Sequence, residues 1–228
     1  MFDLDGTLTD PRDGITRCIQ HALRALGEPT PECSELERFI GPPLAETFAE
    51  LLGDPGEERV GEAIRLYRER FADRGLFENR LIDGVPEMLG ALARAGRTLY
   101  VVTSKPEPYA RRIVRHFGLE DSMRAIHGSL LDGTRVHKHE LIAYVMQVEG
   151  LRPERALMIG DREHDVKGAR RVGVASLAVA WGFGTPSELT AAQPDGLVRT
   201  PDECLVWLGV EGTQRSPAPD SRTIGSPP

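Results

Sequence analysis

Asp3-Leu4-Asp5-Gly6-Thr7 places two carboxylates two residues apart at the start of the chain, with a glycine and a hydroxyl behind them. Residues 1–3 read as the end of a β-strand, and the two-residue alternation of a strand points Asp3 and Asp5 the same way. Gly6 allows a sharp turn, which sets the pair at the strand's carboxyl lip, where open α/β sheets build their sites. Two such carboxylates repel each other unless a metal or a shared proton relieves them. One of them can then act as a nucleophile while its neighbour moves protons. A solvated acidic turn is the plainer reading of the same five residues, so the rest of the chain has to decide.

Beyond this stretch, residues 13–79 read as helices. Ile15, Cys18, Ile19, Ala22, Leu23 and Leu26 recur at helical spacing, with Asp13 as N-cap and Gly27 as a stop. Leu44, Phe48, Leu51 and Leu52 mark a second helix. Val60, Ala63, Ile64, Tyr67 and Phe71 mark a third. From residue 80 the rhythm becomes helix then short apolar strand, repeated: strands at Thr98–Thr103, Ala125–His127, Ala156–Gly160 and Ala175–Val179, with helices between them. That alternation predicts an α/β fold, a Rossmann-like parallel sheet with helices on both faces. The expected organisation is a core of residues 1–12 and 80–210, with an all-helical cap, residues 13–79, inserted after the first strand. The stretch 211–228 is rich in Ser, Pro, Gly and Thr and reads as a disordered tail. Only Met1 and Phe2 precede Asp3, fewer than the roughly five or six residues of an ordinary strand. This abrupt opening implies an upstream start or a shortened chain. It also sets the free α-amino group beside the carboxylates, and added upstream residues are expected to raise thermal stability and activity.

Composition narrows the class. The 228 residues suffice for a full core, and a net charge of −7 argues against a nucleic-acid polymer or a membrane surface as partner. No apolar run approaches the roughly 18 residues of a membrane span. Cys18, Cys33 and Cys204 are few, odd in number and widely spaced, which fits a reducing cytoplasm and no zinc pattern. Lys105, Lys138 and Lys167 are the only lysines among 28 basic residues. A lysine in so arginine-rich a chain marks a place for a compact point charge instead of a planar fork.

All three fall in or beside further site-like segments. Val102-Thr103-Ser104-Lys105-Pro106 is a strand end running into a helix, where free N–H groups and hydroxyls can receive phosphate, although a plain helix N-cap is the simpler reading of these residues alone. Gly160-Asp161-Arg162-Glu163-His164-Asp165 follows another apolar strand, and two carboxylates four residues apart suit Mg²⁺, which prefers oxygen ligands. Asp165 equally reads as a helix cap, and His164 as an exposed loop residue. His137 and His139 flank Lys138 but do not converge on a helix, which excludes them as a metal pair.

In order and approximate spacing, Asp3-x-Asp5-Gly-Thr, the strand ending in Thr103, Lys138, and Gly160-Asp161-x-x-x-Asp165 resemble the four motifs of the haloacid dehalogenase superfamily. The resemblance covers residues 1–210, and Ile40-Gly41-Pro42-Pro43-Leu44 with Val102–Pro106 is most similar to the phosphoglycolate phosphatase-like branch. Ser104 departs from the asparagine common there, and Lys138 from a lysine-proline context. The resemblance implies a phosphomonoester hydrolase acting on a small phosphorylated metabolite. It implies Asp3 as nucleophile forming an aspartyl-phosphate and Asp5 as acid and base. Thr103, Ser104 and Lys138 bind the phosphoryl oxygens on that reading. Mg²⁺ is held by Asp3, the Asp5 backbone carbonyl and Asp161, with Asp165 supporting from behind. A 5′-nucleotidase, pyrophosphatase or phosphomutase on the same scaffold is the alternative, as is a non-catalytic homologue. Arg65, Arg68 and Arg70 are cap candidates for choosing the substrate, most of them expected on a solvated face. Oligomeric state is not legible.

Overall fold

The structure, a computed structural model, describes residues 1–210; the tail expected to be disordered, 211–228, lies outside the described residues. A short strand β1 (Thr9–Asp10) leads into four helices, α1 (Arg12–Ala25), α2 (Cys33–Leu36), α3 (Leu44–Leu51) and α4 (Glu57–Arg70). The chain leaves them through a π-helical turn, Phe71–Gly75, and strand β2 (Arg80–Leu81). β1 and β2 pair antiparallel, Thr9 with Leu81 and Asp10 with Arg80, so the two strands flanking the helical block lie side by side. Then come α5 (Val85–Arg94), β3 (Tyr100–Pro106), α6 (Glu107–His116), β4 (Ala125–Ser129) and α7 (Lys138–Val148). The described chain closes with β5 (Leu157–Gly160), α8 (Glu163–Arg171), β6 (Ala175–Val179), α9 (Pro186–Ala192), β7 (Gly196–Val198) and α10 (Pro201–Trp207).

β3 pairs parallel with β4, and β5–β6–β7 form a parallel set. Phe2 joins the two groups through parallel bridges to Val101 and Ile159, which puts the opening segment at the centre of the sheet. Alternation along the strands feeds two cores. Val101 and Ile159 pack with Leu89 and Leu92 of α5, Ile113 and Val114 of α6, and Leu205 of α10. Tyr100, Val102 and Met158 pack instead with Leu141, Ile142 and Val145 of α7 and Ala169 of α8. Helices therefore cover both faces, as the alternating pattern predicts. Among the described residues no helix is long and apolar enough to cross a membrane.

The structure differs from the sequence expectation in four places. The first strand is reduced to the bridges of Phe2. The Met1 nitrogen donates to the Leu157 carbonyl (2.8 Å) where β5 begins, whereas the carboxylates lie where β5 ends, so the amine is not beside them. Asp13 does not cap α1; Pro11 holds that position, and Asp13 faces the positive helix end from the first turn. Finally, α9, β7 and α10 were not anticipated, although each helix start carries a Thr-Pro-x-Glu signature. Thr185 Oγ1 accepts from Glu188 N and Thr200 Oγ1 from Glu203 N, each at 3.1 Å.

Candidate active site

The sheet brings four distant residues to one point. Asp3 leaves the central segment, Asp161 follows β5, Asp165 sits in the first turn of α8, and Lys138 opens α7. All four are buried. Lys138 Nζ lies 2.9 Å from Asp3 Oδ1 and 2.7 Å from Asp165 Oδ1, and donates to the Val102 carbonyl at 3.0 Å. Burial opposes the charge on Lys138, but Asp165 and Asp3 more than offset that and hold its pKa above the ordinary value. Asp165 does two jobs, since its Oδ2 also accepts from Arg162 N (3.2 Å) and closes the first turn of α8.

Asp161 is held from above by a segment that sequence reasoning missed, Trp181-Gly182-Phe183-Gly184 after β6. Phe183 N donates to Asp161 Oδ2 (2.8 Å), Thr7 Oγ1 donates to Asp161 Oδ1 (3.1 Å), and Trp181 Nε1 donates to the Thr7 carbonyl (3.1 Å). A Cβ on Gly6 or Gly182 would run into the Asp161 carboxylate, and Gly6 also has φ +84°. The signal available in sequence was the Gly182-x-Gly184 pair shortly after the strand end at Val179.

One carboxylate oxygen from each of Asp3, Asp161 and Asp165 can be chosen so that all lie within 4.8 Å of one another. Lys138 is the cation paired with this trio, which leaves buried negative charge in excess. Burial, then Asp3, then Asp165, push Asp161 up to about 8, and burial pushes Asp165 up to about 6 against the pull of Lys138. A divalent cation with hard oxygen preference matches both the donor set and the missing charge. The Asp5 carboxylate lies outside this trio.

Asp5 is paired elsewhere. Its Oδ2 is 2.7 Å from Lys105 Nζ, and its Oδ1 is buried with no hydrogen-bond partner among the described residues. Burial pushes the Asp5 carboxyl up, and Lys105 pulls it back down. Asp3, Asp5, Thr103, Ser104 and Lys105 open onto one cavity of about 420 Å³. Thr103 is buried, with Oγ1 accepting from Lys105 N at 3.3 Å; Ser104 is half-buried, and its carbonyl accepts from Ser129 Oγ at 2.7 Å. The far wall comes from the helical block, with Phe39, Ile64, Tyr67 and Phe71, and Tyr109 of α6 completes it.

The remaining candidates separate cleanly. Arg65 pairs with Glu62 and Glu69 on an exposed face, and Arg70 forks onto Glu78 at 2.7 and 2.9 Å. Arg68 lines the cavity, and its Nε is buried without a hydrogen-bond partner among the described residues. Contrary to the sequence expectation, His137 and His139 do converge: their rings stack, 6.1 Å between centroids, because His137 is the extended residue just before α7 and not part of the helix. His164 is not an exposed loop residue: it sits half-buried in α8, and burial, then Arg162, hold its pKa down.

A family model described as haloacid dehalogenase-like hydrolase matches residues 1–179. A 5′-nucleotidase of Pseudomonas aeruginosa is 56% identical over 194 residues, covering 85% of this chain and 87% of that protein. The tyrosine-protein kinase PtkA of Mycobacterium tuberculosis is 44% identical over 185 residues, 81% of this chain but 62% of that protein. A crystal structure of a predicted phosphatase from Clostridium acetobutylicum superposes with a TM-score of 0.88 at 39% identity, covering 91% of this chain and 95% of that one.

Proposed function

Given that this chain belongs to the haloacid dehalogenase-like hydrolases and is a phosphatase of that family, we propose that it hydrolyses small phosphomonoesters through an aspartyl-phosphate on Asp3. The observation that carries this reading is the buried Asp3 carboxylate. Lys138 pins one of its oxygens, and it faces a cavity wide enough for an ester. Asp3 attacks phosphorus in line as the bond to the leaving oxygen breaks. Asp5 gives that oxygen a proton, then takes one from the water that cleaves the aspartyl-phosphate. Thr103, Ser104 and Lys138 receive the phosphoryl oxygens, and Lys138 also offsets the charge of Asp3.

Asp3, Asp161 and the Asp5 backbone carbonyl would hold Mg²⁺, with Asp165 fixing Lys138 and the start of α8 behind them. Bound there, the cation supplies the positive charge that a phosphate dianion needs in a site this acidic. The helical block, residues 13–79, acts as a cap that keeps bulk water from the reacting atoms. A small phosphorylated metabolite in the cytoplasm is the partner this reading calls for.

The leaving group favours the nucleotidase alternative over phosphoglycolate. The cavity lies within the ~300–1,000 Å³ range of small-molecule pockets, larger than a two-carbon acid needs. Phe39, Tyr67 and Tyr109 give it an aromatic wall, with Arg68 as a polar group, which suits a nucleoside. The 56% identical 5′-nucleotidase points the same way.

Phosphate release from nucleoside monophosphates, phosphoglycolate, sugar phosphates and pyrophosphate, with and without Mg²⁺, tests the proposal. Metal-dependent turnover concentrated on a nucleoside monophosphate is expected. Asp3→Asn is expected to lower it by at least ~10³-fold with the fold intact. Phosphate release at the original rate from folded Asp3→Asn would remove Asp3 as nucleophile.

A further inference from the structure

Lys105 has no part in the steps above, yet it is nearly as sheltered as the residues that do, its side chain 6% exposed. Its ammonium sits between two groups from different parts of the chain. On one side is Asp5 Oδ2 at 2.7 Å; on the other is the Phe71 ring, its centroid 4.5 Å away. Phe71 belongs to the π-helical turn where the helical block ends, a kind of backbone irregularity frequent at functional sites. That ring is itself fixed, stacked on Tyr67 (5.4 Å, 14°) and edge-on to Tyr109 of α6 (5.4 Å, 72°). The ammonium is thus held by a carboxylate on the core side and a π-face on the helical side.

Asp5 lines the cavity; Lys105 engages its Oδ2, and its Oδ1 is buried with no hydrogen-bond partner among the described residues. A carboxyl that must exchange a proton with a leaving oxygen works only if it is held in one place. We infer that Lys105, clamped by Phe71, is a positioning residue that fixes the Asp5 carboxyl where the leaving group meets it. This inference rests on Asp5 acting as acid and base in the proposed reaction. In the first step the proton on the Asp5 carboxyl passes to the ester oxygen as its bond to phosphorus breaks and the bond from Asp3 forms. In the second, the Asp5 carboxylate accepts a proton from water as the new P–O bond forms and the Asp3–phosphorus linkage breaks. Lys105 keeps its own protons throughout.

A rival role for Lys105 is direct contact with the substrate phosphate, and the two separate kinetically. The full chain and its Lys105→Met, Lys105→Arg and Phe71→Leu variants are compared on p-nitrophenyl phosphate, whose phenolate leaves without help, and on an alkyl phosphate, which needs a proton. Because general acid catalysis typically contributes ~10²–10⁴-fold, Lys105→Met is expected to lower kcat on the alkyl ester by at least about tenfold. The loss on the aryl ester should be several-fold smaller, with KM and inhibition by inorganic phosphate unchanged. Phe71→Leu is expected to show the same leaving-group dependence at smaller amplitude, and Lys105→Arg to recover part of the alkyl activity. Equal losses on both esters, or weaker phosphate inhibition in Lys105→Met, would overturn the assignment while leaving the phosphatase reading standing. No phosphate release by the unsubstituted chain from either ester would overturn that reading, and this one with it. If Lys105→Met does not fold, Phe71→Leu decides on the same comparison.

Discussion

Lys138 shows how one side chain ties the site to the fold. Its ammonium bridges Asp3 and Asp165, and its helix begins at that residue, so the central segment, α7 and α8 meet on one charge. Even so, the trio of carboxylates exceeds the positive charge set among it; burial first, and then Asp3 and Asp165, raise the pKa of Asp161. A ligand that binds only the folded state stabilises it by about 2.7 kcal/mol at one hundred times its Kd. Millimolar Mg²⁺ is therefore expected to raise the melting temperature, and Asp161→Asn to abolish most of that rise. A Mg²⁺ shift of equal size in Asp161→Asn, measured by differential scanning calorimetry, would place the cation elsewhere.

The strand-to-helix turns and the loop after β6 do what single residues cannot. Gly6 and Gly182 approach Asp161 from two sides at distances that leave no room for a Cβ. Phe183 N and Thr7 Oγ1 then take one carboxylate oxygen each. This packing gives Gly182→Ala a specific cost. The new methyl must displace Asp161 or the Gly6 carbonyl, a strain of about 1–3 kcal/mol. The variant is expected to melt earlier and to show a weakened Mg²⁺ shift, readable in the same calorimetric scans. Gly61 provides the control: it is exposed in α4 and nothing lies within 4 Å of a Cβ there, so Gly61→Ala should leave the Mg²⁺ shift alone.

Across the molecule, the helical block and the core are joined at more than the β1–β2 pair. The ring series Phe48, Tyr67, Phe71 and Tyr109 runs from α3 through α4 and the π-turn to α6, with successive centroids 6.2, 5.4 and 5.4 Å apart. On another side Arg162, next to Asp161, donates to the Ile40 carbonyl and pairs with Glu188 of α9 at 2.8 Å. Arg162 thus fastens the Ile40-Gly41-Pro42-Pro43 segment to the loop that carries Asp161. Arg162→Ala is expected to speed amide hydrogen exchange several-fold at Ile40, Gly41 and the start of α3 while leaving β3 and β5 protected. Uniform acceleration across the sheet would instead mean that Arg162 supports global stability alone.

Periodicity alone carried the α/β class, the helical block after the first strand and the alternation from residue 80, because burial on two sheet faces and on helix stripes writes repeats of two and 3.6 into the chain. The residues Asp3, Lys138, Asp161 and Asp165 were also legible, each at a strand end or helix start. What local pattern could not supply was pairing across the fold. Lys105 stood out in sequence as a cation near phosphate, yet its partners are Asp5 and a ring 34 positions earlier in the chain. The Trp181–Gly184 segment, the place of Met1 and the half-burial of His164 were likewise set by contacts between residues far apart in sequence. Such contacts depend on how the helical block and the sheet edges pack, and no local repeat encodes that.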